Sequence, residues 1–591
     1  MTDTTTEGAL KPLHEGVREF SRQFRELVVT LWSSQGRTTL NWLSVGIISV
    51  LCATAAAQVA LNLWNRPFYD AIQARDLTAF IHQLLVFGLI AATLLVLNVS
   101  QAWLREMIKL RTREWLTRDL FVQWLKPGRA MRLSYAGEIG VNPDQRIHED
   151  TRRLTELSAD LGIGLFQSGL LLISFLGVLW SLSGALVIPI GGITLTIPGY
   201  MVWSALLYAA GGSWLTWRVG RRLVGLNAAR YQRESELRVA LVQTNEHADA
   251  IAHGRREELE GQRLVSDLGN LLAKMREIVG ATARLIWVTA GYGWVSLVAP
   301  IAIAAPSYFS GRLSFGELMM VVGGFNQVNQ SLRWFVDNFA LLADWRATLQ
   351  RVMGFREVLL AFESGLAKDE RITRSEGPAN RLKLENVNIG TKGEKAVFNQ
   401  PGLEVAAGDR ILIRDKTRSG RQPLLPALAG LWPWGAGKLQ YPAGSTVMFL
   451  KRQPYFPAGS LRAALAYPAG PNSFSEEQVK KVLVRVRLAH LTGALNHDTR
   501  SGLMLSAAER ARIGLAQLLL HKPQWILADG ILDGMTEEDW DLIDSILRNE
   551  LAKSAFVYVS RRAGTYPMCD REVQIISHLD DKLGREQVIN R

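Results

Sequence analysis

The feature that most constrains this sequence is a set of long stretches without Asp, Glu, Lys or Arg. They run from Thr38 to Asn65, Leu77 to Leu104, Leu161 to Trp217 and Leu285 to Gly311. A helix needs about 20 apolar residues to cross a bilayer, so three of these stretches each predict one span and the third in chain order can hold two. A buried core helix explains one such run but not this many. The chain is therefore predicted to cross a membrane several times.

The third stretch and a later segment complete the predicted spans. Turn-forming residues interrupt the third stretch at Pro189, Gly191, Gly192 and Pro198. A further candidate runs from about Phe315 to Trp345; it is apolar at first and then carries Arg333, Asp337 and Asp344. Six transmembrane helices are predicted in total.

Lysine and arginine set the predicted orientation. Segments Arg105–Arg153 and Arg218–Arg284 are rich in basic residues, mostly arginine, whereas Ser181–Tyr200 has neither lysine nor arginine. Basic loops stay on the cytoplasmic side, so both termini are predicted to be cytoplasmic and the membrane to be a bacterial inner membrane. The net charge of +12 lies largely in these segments, which argues for membrane topology and against nucleic-acid binding.

The segment before the first span has helical periodicity. Apolar residues recur at Val17, Phe20, Phe24, Leu27, Val28 and Trp32, with arginines on other faces. This pattern predicts an amphipathic helix on the inner membrane surface, and a plain soluble helix is the alternative. The predicted domains are a cytoplasmic region over 1–40, a membrane domain over 41–360, a linker over 361–380 and a globular domain over 381–591.

The C-terminal part alternates between two kinds of pattern. Its strand-like runs are RLKLENVNI, RILIRD, STVMFL, QWILAD, AFVYVS and REVQIIS, and its helical runs include QVKKVLVRVRL and AERARIGLAQLLL. Alternation of this kind predicts an α/β domain with a largely parallel sheet. The cytoplasmic segments between spans have helical patterns and are predicted to extend the membrane helices.

Four runs carry a resemblance to a known family. They are NLWNRPFYDAIQARD (Asn62–Asp76), NPDQRIHEDTRRLTELS (Asn142–Ser158), NEHADAIA (Asn245–Ala252) and SLRWFVDNFALLADWRATLQRVMGF (Ser331–Phe355). The chain resembles ABC half-transporters of the SbmA/BacA branch and their ATPase-fused relatives, and is also similar to peroxisomal fatty-acyl transporters. The resemblance implies an exporter-type six-helix membrane domain, a P-loop-type ATP-binding domain and a homodimer, with a heterodimer as the alternative. It also implies peptides, cobalamin-type molecules or acyl compounds as substrates.

The phosphate-binding loop of that family is altered in this chain. The family pattern GxxxxGK[ST] uses glycines to bring backbone N–H groups to the phosphates, a lysine for the terminal phosphates and a hydroxyl for Mg²⁺. Here Asp415 stands at the first glycine, and Ser419 and Gly420 fit the pattern. Arg421 and Gln422 replace the lysine and the hydroxyl residue. Arginine is too bulky and too fork-shaped for the lysine's role.

The other ATP-handling motifs are altered too. After the Walker B Asp529, Gly530 replaces the glutamate that orients the attacking water. The signature keeps Ser506 but has Ala508 where glycine is expected. The remaining replacements are Arg452 for the Q-loop glutamine, Arg561 for the switch histidine and Thr536 for the D-loop aspartate.

Together these changes predict a degenerate nucleotide-binding domain that does not hydrolyse ATP. ATP with Mg²⁺ is the cofactor that the family implies, and no catalytic residue and no other metal site is predicted. The leading hypothesis is a transporter driven by a proton or substrate gradient. The alternatives are a conventional ATP-driven transporter and a non-transporting regulator or heterodimer partner of an intact half-transporter.

Charged residues near the spans are the coupling candidates. Arg333 and Asp337 are four residues apart and can pair on one helical face, either as a packing salt bridge or as a proton or substrate site. Asp344 is predicted two turns further along, and the resemblance adds Asp70 on the outer side. The other candidates, Glu149, Asp150 and Asp249, fall in family motifs that contact the ATP-binding domain, where an interface role is favoured.

Overall fold

The structure is a computed structural model that divides into two compact units. It describes residues 4–32, 36–133, 142–184, 186–190, 193–361, 372–378, 380–391, 394–398, 400, 402–415, 424–432, 434–452, 454–498, 505–533, 535–560 and 566–579. The helical unit comprises residues 1–123 and 138–358, and the α/β unit comprises 124–137 and 359–591.

Helices, several of them long, make up most of the described residues up to 361. They are α1 (Thr4–Trp32), α2 (Arg37–Ala74), α3 (Leu77–Trp124), α4 (Arg129–Leu133), α5 (Pro143–Gln145), α6 (Thr151–Leu182), α7 (Tyr200–Glu246), α8 (Ala248–His253), α9 (Glu257–Phe309), α10 (Phe315–Asp337) and α11 (Phe339–Ala361). A π-helical turn, Arg146–Asp150, joins α5 to α6. Two short antiparallel strands, β1 (Leu186–Ile190) and β2 (Ile193–Ile197), form a hairpin where the turn residues predicted an interruption.

Among the described residues, four helices are long and apolar enough to cross a membrane. They are α2, α3, the helix formed by α5 and α6, and α9. None of the apolar window of α3 is buried within the chain, as expected for a helix surrounded by lipid. The helices α7 and α10 do not reach this apolarity, so the prediction of six spans is supported for four and stays a prediction for the other two.

Helix α10 lies at the centre of the helical unit, in contact with α2, α6, α7 and α9. Its Val321, Phe325 and Val328 are fully buried and pack in one cluster with Phe175 and Leu179 of α6. These apolar contacts explain how a helix with polar residues on another face is held inside the bundle.

The last predicted span, from about Phe315 to Trp345, is not one continuous helix in the structure. Helix α10 ends at Asp337, Asn338 lies between the helices, and α11 begins at Phe339. The Asn338 side-chain Nδ2 donates to the carbonyl of Trp334 at 2.9 Å. Asparagine competes in this way for backbone groups, which favours a helix end over continuation. Asp344 therefore lies on a different helix from Arg333 and Asp337.

The α/β unit is built on one sheet. Its strands are β3 (Thr373–Gly377), β4 (Arg381–Thr391), β5 (Glu394–Phe398), β6 (Gly402–Ala406), β7 (Arg410–Asp415), β8 (Gly435–Pro442), β9 (Val447–Lys451), β10 (Trp525–Asp529), β11 (Ala555–Ser560) and β12 (Arg571–Leu579). Its helices are α12 (Leu424–Leu428), α13 (Leu461–Ala466), α14 (Glu476–Arg485), α15 (Ala507–His521) and α16 (Glu537–Asn549).

The sheet has a parallel half and an antiparallel half. Strands β12, β7, β11, β10 and β9 are parallel neighbours in that order, whereas β5, β4, β8 and β6 pair in antiparallel fashion. The prediction of a largely parallel sheet holds for the half that carries the ATP-site motifs. Asp529 pairs in register with Lys451 and with Val559, so the carboxyl ends of β9, β10 and β11 align at one edge.

Two hydrophobic clusters cover the faces of the sheet. One joins α13, α14, α15 and α16 to the sheet through buried residues such as Leu465, Leu483 and Ile543. The other includes Ile413 and Trp525, and Met131 of α4 packs against it. This contact explains why residues 124–137 belong to the α/β unit although they lie between membrane helices in sequence.

The predicted linker over 361–380 is partly structured. Residues Thr373–Gly377 form β3, which pairs in parallel with β8, and residues 362–371 lie outside the described part of the chain. The run TRSEG has no apolar alternation, so its sequence has the composition of a loop. Pairing with β8, a tertiary contact, makes it a strand.

Candidate functional site

Residues in and beside the predicted ATP-site motifs lie at one edge of the sheet. Asp415 ends β7, Arg452 follows β9, Asp529 ends β10 and Ser560 ends β11. All four strands are parallel, and the carboxyl edge of such a sheet is where α/β proteins bind ligands. The order of the motifs along the chain therefore places them at a position suited to a nucleotide.

The altered phosphate-binding loop is only partly described. Asp415 is buried at the end of β7, and α12 begins at Leu424. The predicted positions Ser419, Gly420, Arg421 and Gln422 lie outside the described residues, and so does Arg561. Their roles stay predictions.

Gly530 has a backbone conformation that disfavours a larger residue. Its φ is +61°, in the left-handed region, and its N–H donates to the carbonyl of Val559 at 2.9 Å. A Cβ at this position would lie 3.3 Å from Asp533 Oδ2 and 3.5 Å from Arg452 Nε. A side chain here would therefore be strained and would grow toward an existing carboxylate and guanidinium.

Asp533 is a residue that the motif comparison did not single out. Its Oδ1 accepts hydrogen bonds from Tyr558 at 2.6 Å, from Ser560 at 2.9 Å and from Tyr566 at 3.0 Å. Its Oδ2 accepts from Arg452 Nη2 at 3.2 Å. The side chain is only 6% exposed, so these donors compensate for the loss of water around the charge. The sequence signal was a tyrosine and a serine on a strand, AFVYVS, that is otherwise entirely apolar.

The phenols around Asp533 remain protonated donors. Burial, together with the neighbouring Asp533 carboxylate, raises the pKa of Tyr558 far above its usual range. Burial also raises the pKa of Tyr566. Both tyrosines therefore stay protonated and able to donate hydrogen bonds throughout the physiological pH range.

The signature serine acts as a helix cap. Ser506 Oγ accepts from the N–H of Glu509 at 3.2 Å, and the Glu509 carboxylate accepts from the N–H of Ser506 at 2.8 Å. This reciprocal pair is a capping box at the start of α15. The hydrogen bond from the Ser506 N–H is the main cause of a lowered pKa for Glu509. Thr536 has a comparable place before α16, where its hydroxyl donates to Asp539 at 3.0 Å.

The predicted coupling pair on α10 is weak in this structure. The closest approach of Arg333 to Asp337 is 3.8 Å, and the Asp337 side chain is 56% exposed. The guanidinium of Arg333 also lies 5.8 Å from the centre of the Tyr292 ring on α9. Asp337 is thus a largely exposed carboxylate with one distant cationic partner among the described residues.

A polar stripe extends from this pair along α10. It consists of Asn326, Gln330, Arg333 and Asp337, which follow one another at intervals of four, three and four residues and so lie on one helical face. Near its start, Asn326 accepts from Ser296 of α9 at 3.3 Å. Polar residues at such positions in a membrane protein face a cavity or another protein surface.

Asp344 and Asp150 are bound to arginines of other helices. Asp344 on α11 accepts from Arg153 of α6 at 3.0 Å. Asp150, in the π-helical turn, is 8% exposed and accepts from both Nε and Nη2 of Arg351 on α11 at 3.0 to 3.2 Å. Arg146 adds a further contact at 3.3 Å. Both carboxylates therefore hold α11 to the rest of the helical unit, and contact of Asp150 with the other unit stays a prediction.

The remaining candidates lie at helix ends. Asp70 accepts from the hydroxyl of Ser314 at 3.0 Å and from the N–H of Gly316 at 2.8 Å, which anchors the start of α10 to α2. Glu149 is exposed and pairs with Arg152 at 2.6 Å. Asp249 is exposed on α8. Among the described residues, no group of three His, Cys, Asp or Glu side chains is placed to hold a metal ion.

The two-unit architecture matches known transporters. Residues 27–309 match the family model "ABC transporter transmembrane region 2". The fold resembles a bacterial Atm1-family ABC exporter solved with ATP bound, with a TM-score of 0.65 and 15% identity over 93% of this chain and 97% of that one. The chain therefore has the fused membrane and ATP-binding organisation of ABC half-transporters.

Curated relatives match this half-transporter over nearly its full length. The inner membrane ABC transporter ATP-binding protein YddA of Escherichia coli is 27% identical over 92% of this chain and 95% of its own length. The chloroplastic ABC transporter D family member 2 of Arabidopsis thaliana is 25% identical over 91% of this chain and 83% of its own length. Half-transporters of this kind dimerise and lie in membranes, and the membrane and ATP-binding regions are fused in one chain here.

Proposed function

We propose that this half-transporter moves its substrate across the membrane without hydrolysing ATP. The observation that carries the proposal is Gly530, which has a left-handed backbone and no carboxylate at the position that follows Asp529. Hydrolysis requires a residue there that orients the attacking water next to the Mg²⁺-bound phosphate.

The nearby Asp533 does not replace the missing carboxylate. Among the described residues, its two oxygens accept hydrogen bonds from three hydroxyl groups on Oδ1 and from Arg452 on Oδ2. Freeing Oδ1 to activate water would remove the acceptor of the buried Tyr558 hydroxyl, at a cost of about 1–3 kcal/mol. The described residues therefore fit Mg·ATP hydrolysis poorly, and no catalytic step is assigned to them.

The proposed transporter is of the SbmA/BacA-like type, a homodimer in a bacterial inner membrane with both termini in the cytoplasm. Its substrates are proposed to be peptides, cobalamin-type molecules or acyl compounds. A proton gradient is the proposed energy source, with Asp337 as the carrier. Asp337 supports this role better than Asp344 or Asp150, because it has a single partner at 3.8 Å while the others have closer arginines. A carboxylate that can lose its cation in another conformation can take up a proton.

ATP turnover by purified protein in lipid tests the first part. Wild type and Asp529→Asn should show the same phosphate release, since neither has the water-orienting residue. Gly530→Glu should not add turnover, because the new side chain would be strained and would lie against Asp533 and Arg452. Phosphate release by wild type that Asp529→Asn abolishes would refute the proposal.

Uptake into sealed vesicles tests the proton carrier. Uptake should require a pH gradient, collapse with an uncoupler and be lost in Asp337→Asn while the variant still inserts and dimerises. Glu258→Gln, an exposed acidic residue at the start of α9, is the matched control and should behave as wild type. Gradient-driven uptake by Asp337→Asn at the wild-type rate would remove Asp337 as the carrier.

A further inference from the structure

The connection between β9 and α13 is held by contacts at both of its ends. At one end, Arg452 follows the last residue of β9 and reaches across to Asp533, which lies beyond the end of β10. At the other end, Ser460 caps α13, and the N–H of Leu461 donates to the carbonyl of His497 at 3.0 Å. The segment between these ends is short and has two prolines, Pro454 and Pro457.

The end at Asp533 is held by more side-chain hydrogen bonds than the end at Ser460. Asp533 is held by Tyr558 and Ser560 of β11 and by Tyr566 beyond it. These donors fix the carboxylate in one orientation with Oδ2 directed to Arg452. The Arg452 side chain is 70% exposed, so the ion pair lies at the surface. Because Asp533 is already held in place, its side chain loses little conformational entropy when the pair forms.

The segment also contacts the helical layer that it leads into. The ring of Tyr455 meets the ring of Tyr467, just after α13, edge to face at a centroid distance of 5.5 Å. Helix α13 is tied to α15 because Gln517 Nε2 donates to the carbonyl of Ala464 at 2.7 Å in the buried core. The connection is therefore linked to the sheet edge at its Arg452 end and to α13 and α15 at its other end.

We propose that the Arg452–Asp533 ion pair is a latch that holds the β9–α13 connection against the carboxyl edge of the sheet and keeps the α/β unit in one conformation. The latch rests on the proposed function, since a domain that does not cycle through ATP hydrolysis has no need to release this connection. Gly530 contributes to the latch, because the absence of a side chain there leaves space for the Arg452 guanidinium to reach Asp533.

Hydrogen–deuterium exchange on the full-length protein in lipid nanodiscs tests the latch. Arg452→Gln removes the charge and keeps a polar side chain. The backbone amides of Leu461 and Arg462, which donate to the carbonyls of His497 and Leu495, should then exchange about fivefold faster, the factor that corresponds to about 1 kcal/mol. Arg452→Lys keeps the charge and should restore part of the protection. Arg510→Gln, an exposed arginine on α15 without a side-chain partner among the described residues, is the matched control and should match wild type.

Unchanged exchange in Arg452→Gln would overturn the latch. Faster exchange throughout the α/β unit would also overturn it, because the pair would then support global stability rather than this connection. Amides of β10 and β11 report this second outcome in the same experiment. ATP turnover by wild type would refute the proposed function while leaving the exchange result to decide the latch, so the two failures are distinguishable.

Discussion

Carboxylates in the two units are held in different ways. At the sheet edge, Asp533 accepts from three hydroxyl groups and one arginine supplied by the ends of several strands. In the helical unit, Asp150 depends on two arginines, chiefly Arg351, and Asp337 has one distant partner. A carboxylate held by many groups is expected to be structural, whereas a carboxylate with few partners can exchange them more readily. The predictions test this ranking.

The largest effect is expected for Asp533→Ala. The substitution removes the acceptor of three hydroxyl groups in the core of the α/β unit, and we expect a loss of about 3 kcal/mol in its free energy of unfolding. Denaturant unfolding of the full-length protein, followed by tryptophan fluorescence, measures it. Asp541→Ala, an exposed position on α16, should change stability little, and an equal effect of the two would contradict the structural role of Asp533.

A smaller loss is expected for Asp150→Ala. It leaves Arg351 and Arg146 without their acceptor, and we expect a destabilisation of about 2 kcal/mol. The melting temperature of the helical unit in detergent reports it. Asp144→Ala, exposed on the preceding short helix, is the control, and a wild-type melting temperature for Asp150→Ala would mean that α11 is held by other contacts.

Loss of the cap of α15 should cost less again. Ser506→Ala removes the side-chain acceptor of the Glu509 N–H, and we expect about 1 kcal/mol from denaturant unfolding. No change would mean that the helix start is held by tertiary contacts alone.

The same cap predicts a pH dependence. The pKa of Glu509 is lowered in the folded chain, so its stabilising contribution is present above the unfolded value near 4.5 and is lost as the pH falls through the folded value. Glu509→Gln should flatten this part of the stability profile. An acid transition of unchanged steepness in that variant would assign the transition to other groups.

The smallest stability effect is expected for Asp337→Asn, below about 0.5 kcal/mol, because its ion pair is long and exposed. Thermal unfolding measures it, and uptake assays on the same preparation separate stability from transport. A loss of stability comparable to that of Asp150→Ala would show that Asp337 is a structural carboxylate and would exclude it as the proton carrier.

The sequence predicted the parallel half of the sheet well. All six strand-like runs coincide with strands to within two residues at their ends, and both helical runs coincide with α14 and α15. These elements have alternating or continuous apolar runs in strands and apolar spacing near four in helices, so local side-chain order is enough to identify them. The edge strand β3, which pairs in parallel with β8, has no such pattern, and the sequence predicts a linker there.

The roles of single charged residues were harder to predict. Asp344 and Asp150 were recognised as important positions, but their arginine partners lie on helices that are far away in sequence. Asp533 was missed because its donors come from a strand and a turn more than 20 residues later. Pairing of this kind depends on which elements become neighbours, and a linear pattern does not contain that information.

For this half-transporter, the membrane class and the two-part organisation follow from the sequence by itself, which also predicts the replacement of the ATP-handling residues. These depend on local composition and on motif residues that can be read one at a time. Only the tertiary structure decided that Gly530 has a left-handed backbone beside an Arg452–Asp533 ion pair, and that α11 is held by arginine–carboxylate pairs to its neighbours. Both arrangements depend on distances between residues of separate elements, which are set when the hydrophobic clusters bring those elements together.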